Sequence, residues 1–246
     1  MGKYYFLADA HIGTKIVLNT EEHEKKLVEW LEMARQDANG IFLVGDIFDF
    51  WFEYKHCIPN GYDRLLGKLA EITDSGIPVH FFIGNHDLWT FGYLEAKIGL
   101  IVHKTPQLFI LNDKKFFIAH GDGIGFENNR TSFMKWVFHK RFLQKCFSYL
   151  NPNIGIAIGR YWSNQNRLKH QYDCDYKGDN KEPVMIFAKN FCKNNDIDYF
   201  VFGHRHILLN KQISEQSRLV ILGDFYREFS YAVFDENELQ IMNYKL

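Results

Sequence analysis

Residues 199–209 read YFVFGHRHILL, and the reading of this stretch decides the fold. Tyr199 to Phe202 is β-branched and aromatic, fit for a buried strand, and Gly203 breaks the run. His204 and His206 follow at once. Along an extended segment, residues two apart point to the same side, so the two imidazoles could face one point. Two imidazoles aimed at one point suggest a metal. The alternative is a pair of histidines satisfied by water at a strand end. The rest of the chain has to decide.

Working outward, residues 4–8 read as a strand. Residues 21–38 read as a helix, with Leu27, Trp30, Leu31 and Ala34 on one face. A short buried strand at 41–44, a helix at 63–73 and a third strand at 79–83 follow. This β-α-β-α-β order argues for a parallel sheet in an α/β layer. The rhythm then changes. Strands at 108–111 and 116–119 flank NDKK, a hairpin signal, and strands recur at Phe200, Leu208, Leu219, Tyr231 and Leu239. The second half is therefore expected to be mainly antiparallel, with a largely helical stretch from 127 to about 181 in between.

In α/β sheets, ligands sit beyond the carboxyl ends of strands. The first strand ends in ADAH, giving Asp9 and His11. The second ends in VGDIFD, giving Asp46 and Asp49. The third ends in IGNHD, giving Asn85, His86 and Asp87. A later strand ends in IAHGD, giving His120. Every candidate strand end delivers Asp, Asn or His, and several carry a glycine just before it, which lets the backbone turn sharply. Mixed carboxylate, amide and imidazole ligands suit Mn, Fe or Zn, and none of these fragments holds cysteine. So many ligands imply two metals sharing one carboxylate. Two metals about 3.5–4 Å apart clamp the attacking and leaving oxygens of a phosphoryl transfer and acidify a bound water. Each fragment alone is weak; the five in this order are specific.

D-x-H, G-D-x-x-D, G-N-H-D, H-G-D and G-H-x-H in this order resemble the calcineurin-like metallophosphoesterases. The resemblance implies an α/β fold, a four-layer α/β/β/α sandwich with a dinuclear site at one edge. It implies that Asp9, His11 and His206 hold the first metal, that Asn85, His120 and His204 hold the second, and that Asp46 bridges. Arg205 fills the unspecified position of the last motif. GDIFDFWFEY, the chain length and the insertion after His120 resemble, more closely, the bacterial UDP-2,3-diacylglucosamine diphosphatases. That resemblance implies hydrolysis of a lipid A precursor to UMP and 2,3-diacylglucosamine 1-phosphate; those products would imply attack at the α-phosphorus, which the residues themselves do not decide. Many members of that group carry Arg where His86 stands.

Composition sets the outer bounds. The chain has 246 residues, is 46% hydrophobic and 17% aromatic, and carries 23 Phe; this suffices for a substantial core. The expectation is one domain over 1–246 with a helical lid inserted at about 127–181. Cys57, Cys146, Cys174 and Cys192 form no C-x-x-C, which points to free thiols in a reducing compartment. The start, MGKYYFLAD, leads straight into a strand, so no signal peptide is expected. It also lacks the myristoylation pattern. No 18-residue apolar stretch exists. Net charge is −1, but residues 127–170 hold eight Lys or Arg against Glu127. That segment is +7 and the remainder −8. Arg130, Lys135, Lys140, Arg141 and Lys145 are interleaved with Phe133, Met134, Trp136, Val137, Phe138, Phe142, Leu143, Phe147 and Leu150. A basic helix this apolar reads as lipid-binding or membrane-surface; packing on its own domain and a nucleic-acid groove are the alternatives.

The expectation is a two-metal hydrolase, most simply with Mn2+, although Fe or Zn would fit. Its partners are a lipid-linked sugar nucleotide and the cytoplasmic face of the inner membrane, where it binds peripherally. Nucleic acid is disfavoured and no protein partner is inferred. Catalytic residues are His86, Asp46 and Asn85, with His86 stabilising charge or protonating the leaving group. Asn85, His86, Arg160, Ser163, Asn164, Arg167 and Lys169 are expected to bind substrate. A metal-dependent phosphodiesterase or nuclease, and a non-catalytic scaffold of the same fold, are the competing readings.

Overall fold

The computed structural model of the chain describes residues 2–125, 138, 140–170, 175–236 and 238–245, with backbone alone for 166–170. The opening strand β1 (Lys3–Leu7) runs parallel to β2 (Ala38–Leu43), β3 (Val79–Phe82) and β4 (Ile101–His103). The strands β10 (Ser230–Asp235) and β11 (Glu238–Asn243) close this sheet antiparallel, in the order β11-β10-β1-β2-β3-β4. A second sheet has the order β5-β6-β7-β9-β8, from β5 (Gln107–Leu111), β6 (Lys114–Ala119), β7 (Tyr199–Phe202), β8 (Leu208–Gln212) and β9 (Arg218–Leu222).

Alternation along the strands builds the layers. On β1, Phe6 turns inward to stack on Phe42 with ring centroids 4.8 Å apart, and meets Phe116 of the other sheet at 5.8 Å. Tyr5 and Leu7 turn outward onto α1 (Thr20–Ala34) and α2 (Asp63–Asp74). The short α3 (Tyr93–Ile98) joins them. On the far side α6 (Pro183–Phe191) covers the second sheet through Val184, Met185 and Ala188. The central strands of both sheets, among them β7 and β9, are apolar on both faces, as strands sandwiched between layers must be. The result is helix, sheet, sheet, helix.

Two expectations change. The helix expected over 21–38 ends at Ala34, because residues 38–40 pair with β1 in the sheet. Its start is fixed by Asn19, whose Oδ1 accepts from the Glu21 and Glu22 amides at 3.1 Å. The second sheet is mixed rather than mainly antiparallel: β7 is parallel to both β6 and β9. A crossover through α6 brings the chain back to start β7 in the direction of β6, and the sequence had folded α6's approach into the insertion. The hairpin holds: Asn112 and Asp113, at φ 45° and 63°, form the two-residue turn between β5 and β6.

Part of the expected insertion, including Arg130, Phe133, Met134, Lys135, Trp136, Val137 and Cys174, lies outside the described residues. The rest is α4 (Arg141–Ser148) and α5 (Pro152–His170). They rest on an aromatic ridge of Phe50, Phe52, Tyr54 and Trp89, to which Phe138, Phe147 and Ile156 add. Trp89 Nε1 donates to the Phe138 carbonyl at 3.0 Å. The glycines Gly155 and Gly159, one turn apart on α5, let it come close: a Cβ at Gly159 would collide with the Phe50 ring, and one at Gly155 with the Tyr54 hydroxyl.

Candidate metal centre

The parallel strands of both sheets, β1-β2-β3 and β6-β7-β9, aim their carboxyl ends at one edge of the sandwich. The residues beyond those ends are stitched together there. The Asp9 amide donates to Gly45 O at 3.0 Å, His11 to Asp46 O at 2.9 Å, and Gly203 to His120 O at 2.9 Å. Gly45 takes φ 85°, and a Cβ on it would strike the His120 ring. Gly84 leaves room for the Asp46 carboxylate in the same way.

Three side chains converge first. His11 Nε2 and His206 Nε2 are 3.4 Å apart, and Asp9 Oδ1 lies 3.6 Å from one and 3.5 Å from the other. A second group is Asp46, His120 and His204. Asp46 Oδ2 stands between the two, 3.8 Å from His11 Nε2 and 3.3 Å from His120 Nε2. Its other oxygen accepts the His86 amide at 2.8 Å. Such edges match ligand atoms about 2.0–2.2 Å from a shared cation.

Whether a cation fits is tested by the atoms themselves. Asp9 Oδ1 and His120 Nε2 are buried and make no hydrogen bond of acceptable geometry among the described residues. Buried polar atoms without partners are rare and costly, and here both point into a cluster of lone pairs. Charges compete as well. Burial pushes the Asp9 carboxyl up to about 6. Burial also opposes charge on Asp46, but the imidazoles of His120, His86 and His11 outweigh it and hold this carboxyl well below the usual range. Carboxylate and imidazole donors without thiolate suit Mn, Fe or Zn. These groups could hold two divalent ions.

The orienting partners fix which nitrogen faces the centre. His120 Nδ1 donates to Val44 O at 2.9 Å, leaving the lone pair on Nε2. The His204 amide donates to Asp9 Oδ2 at 2.7 Å. His86 Nδ1 donates to the main-chain oxygen of Asp49 at 2.9 Å. The neighbouring acid, Asp87, does a different job: it accepts the Gly84 and Ile47 amides at 2.6 and 2.8 Å, joining two ligand loops. Burial pushes Asp87 up to about 7.

Backbone strain marks the same residues. Asp9, His11, Asp46, His204 and His206 have φ between 47° and 65°, the left-handed region, and make up five of the eight such non-glycine residues described. Strain of this kind gathers at functional sites.

Asn85 is exposed at the rim, and with His86 it opens a cavity of about 300 Å³ roofed by α5. Trp51, Leu88, Trp89, Phe147 and Trp162 wall it, and Ser163 reaches in from α5. Ser163 Oγ donates to Asp49 Oδ1 at 2.8 Å and lies 3.1 Å from His86 Nδ1. Arg160 turns away to donate to Asn60 O at 3.0 Å. Asn164 does not line the cavity, and its Oδ1 is buried without a hydrogen-bond partner among the described residues. The side chains of Arg167 and Lys169 lie outside the described residues.

Sequence reasoning missed Asp224, Tyr226 and Arg227. Asp224 Oδ2 is 3.7 Å from His206 Nδ1 and accepts from Arg227 Nη2 at 2.6 Å, and Tyr226 Oη is 3.4 Å from the same His206 nitrogen. A signal was available: β9 runs out into Gly223-Asp224, the same Gly-Asp pair that follows β2.

Known proteins bear on this geometry. The family model for calcineurin-like phosphoesterases matches residues 2–208. A UDP-2,3-diacylglucosamine hydrolase of Porphyromonas gingivalis is 35% identical over 96% of this chain and 95% of its own length. One from Proteus mirabilis is 22% identical, covering 82% and 80%. A dimetal phosphatase from Danio rerio shares the fold, with a TM-score of 0.50 at 12% identity, covering 98% of this chain and 95% of its own. With the family motifs falling on the strand ends that meet at this edge, the chain belongs to the calcineurin-like phosphoesterase family.

Proposed function

We propose that this chain hydrolyses the diphosphate of UDP-2,3-diacylglucosamine, giving UMP and 2,3-diacylglucosamine 1-phosphate. The observation that carries the reading is the aromatic cavity that begins at Asn85 and His86 and ends under α5. A phosphoester hydrolase for small polar substrates has no use for such a chamber beside its ligands. The name carried by the Porphyromonas gingivalis relative supports the same substrate.

In this reading Asp9, His11 and His206 hold one divalent ion, and Asn85, His120 and His204 hold the other. Asp46, which stands between the two sets, would be shared by both. Manganese is the proposed metal. Divalent ions bound there supply positive charge to the phosphoryl oxygens and acidify water. The chain's own residues do the rest. Asp49 O holds the His86 ring so that Nε2 can carry a proton to the leaving oxygen. Asn85 and His86 orient the phosphates at the cavity rim. Ser163 fixes the roof against Asp49, and Arg167 and Lys169 are the cations proposed to contribute to substrate binding.

The roof, the proposed lid within 127–181, also supports a place for the protein. No described helix is long and apolar enough to cross a membrane. Phe142, Ile154, Tyr161 and Trp162 are exposed on α4 and α5, with Tyr149 exposed between them, beside Lys140, Arg141 and Lys145. This face rests on the cytoplasmic surface of the inner membrane, where the lipid substrate resides. The test is hydrolysis of UDP-2,3-diacylglucosamine against UDP-N-acetylglucosamine in 18O-labelled water. The expected result is a strong preference for the acylated substrate and label in UMP. Equal rates on both would sink the lipid reading, and label in the sugar phosphate would sink attack at the α-phosphorus.

A further inference from the structure

A second cavity, of about 210 Å³, lies on the opposite side of the loop that carries Asn85 and His86. Gly84, His120 and Asp122 form its inner end, and Lys104, Thr105 and Pro106, on the connection from β4 to β5, form its outer end. Leu88 lines both cavities and is the partition between them. The substrate of the proposed function is linear, with a diphosphate in the middle. If the diphosphate lies at the ligand row, the two ends must leave on different sides. The first cavity is walled by aromatic rings and takes the acyl chains. The second takes what remains.

We propose that this second cavity is the nucleoside subsite, holding the pyrimidine and ribose of the nucleotide half. The inference rests on the proposed function and adds to it where the specificity for the nucleotide is read. The chemistry of the walls fits. The Asp122 carboxylate can accept from a ribose hydroxyl or a pyrimidine imide N–H. The Thr105 hydroxyl can pair with a base carbonyl. Lys104, whose ammonium already donates to Thr90 O at 3.2 Å, places a cation on the side of the nucleotide's own α-phosphate. Pro106, exposed at the mouth, offers apolar surface to a ring, and the buried Phe82 backs the wall behind it. The wall is preformed: His103 is held by His80 across 2.9 Å and packs on Phe82 at 4.6 Å. Few convergent polar groups on a preformed apolar wall are what orient a small ligand, and unpaired polar groups are what reject the wrong one.

The experiment uses the metal-loaded full chain and two product inhibitors, UMP and 2,3-diacylglucosamine 1-phosphate. Thr105→Trp fills the outer end from an exposed loop position. It should raise the inhibition constant for UMP at least tenfold and raise KM, while inhibition by the acylated product stays within twofold and metal content is unchanged. Lys104→Ala, a smaller change, should weaken UMP by about threefold or more with the same selectivity, and it covers the case in which the tryptophan variant does not fold. Unaltered UMP inhibition in an active variant, or equal weakening of both inhibitors, overturns the subsite and leaves the proposed function standing. A wild-type protein that leaves UDP-2,3-diacylglucosamine uncleaved overturns both.

Discussion

Replacing Gly159 by alanine should do the opposite of what the same change does elsewhere in the chain. In a helix interior Gly→Ala ordinarily stabilises by about 0.5–1 kcal/mol. Gly67, in α2, shows that case: nothing lies within 4 Å of a Cβ built on it. At Gly159 three atoms of the Phe50 ring occupy the place a Cβ needs. Relieving that collision means tilting the ring or lifting α5, and overpacking of this kind costs about 1–3 kcal/mol. Subtracting the helix gain leaves α5 docked more weakly by roughly 1–2 kcal/mol, a factor of about 5–30 in its docking equilibrium. Urea unfolding of both variants gives the stabilities. Rates on UDP-2,3-diacylglucosamine and on bis(p-nitrophenyl) phosphate give the function. Gly67→Ala should be more stable with both activities intact. Gly159→Ala should lose about 5–30-fold in kcat/KM on the acylated substrate while hydrolysis of the small diester stays within about threefold. If Gly159→Ala stabilises as Gly67→Ala does and keeps its full rate on the lipid, the tight seat of α5 on Phe50 is not what shapes the cavity.

Asp46→Asn should leave at most one loosely held metal by elemental analysis, and two tightly held ions in that variant would refute bridging. His86→Ala should lower kcat by about 10²–10⁴-fold with metal content near wild type; a loss under threefold would remove His86 from the chemistry. Arg205→Ala leaves the fully buried Glu182 without its ion-pair partner at 2.7 Å, so denaturant titration should show a loss of about 3 kcal/mol or more. Adding Glu182→Gln should recover part of it, and no recovery would deny the pairing. His80 is pushed down to about 4 by burial and by His103. Folding therefore favours its neutral form, and stability is full above the unfolded value of 6.5 and falls as pH drops toward 4. Allowing for partial exposure, metal-free protein should lose about 1 kcal/mol more between pH 7.5 and 5 than its His80→Gln variant. Identical slopes in the two would contradict this.

The sequence carried the ligands because each sits just past a strand whose apolar run is easy to see. Residues 4–8, 41–44 and 79–83 announce themselves, and the polar residue after each is the one the sheet presents at its edge. The first sheet was legible as far as β3. Strand β4 is three residues long and α3 six, too short for a periodic pattern. The direction of β7 was not legible, because strand direction depends on the crossover that precedes it, and α6 followed directly on a polar stretch that read as part of the insertion. That Asp49 orients His86 through its main-chain oxygen was not legible for a different reason: no side-chain pattern records a carbonyl. The pairing of Arg205 with Glu182 joins residues 23 apart across two elements, beyond the reach of local spacing.

The left-handed backbone at Asp9, His11, Asp46, His204 and His206 has a consequence for how this sequence can change. Each of these residues would be more comfortable as glycine, by something on the order of 1 kcal/mol. A search of sequence space guided by folding stability alone would therefore begin by erasing the ligands, and every step would look like an improvement. Stability and activity in this chain have their optima at different sequences, and the distance between them is concentrated at five positions on one edge of the sandwich.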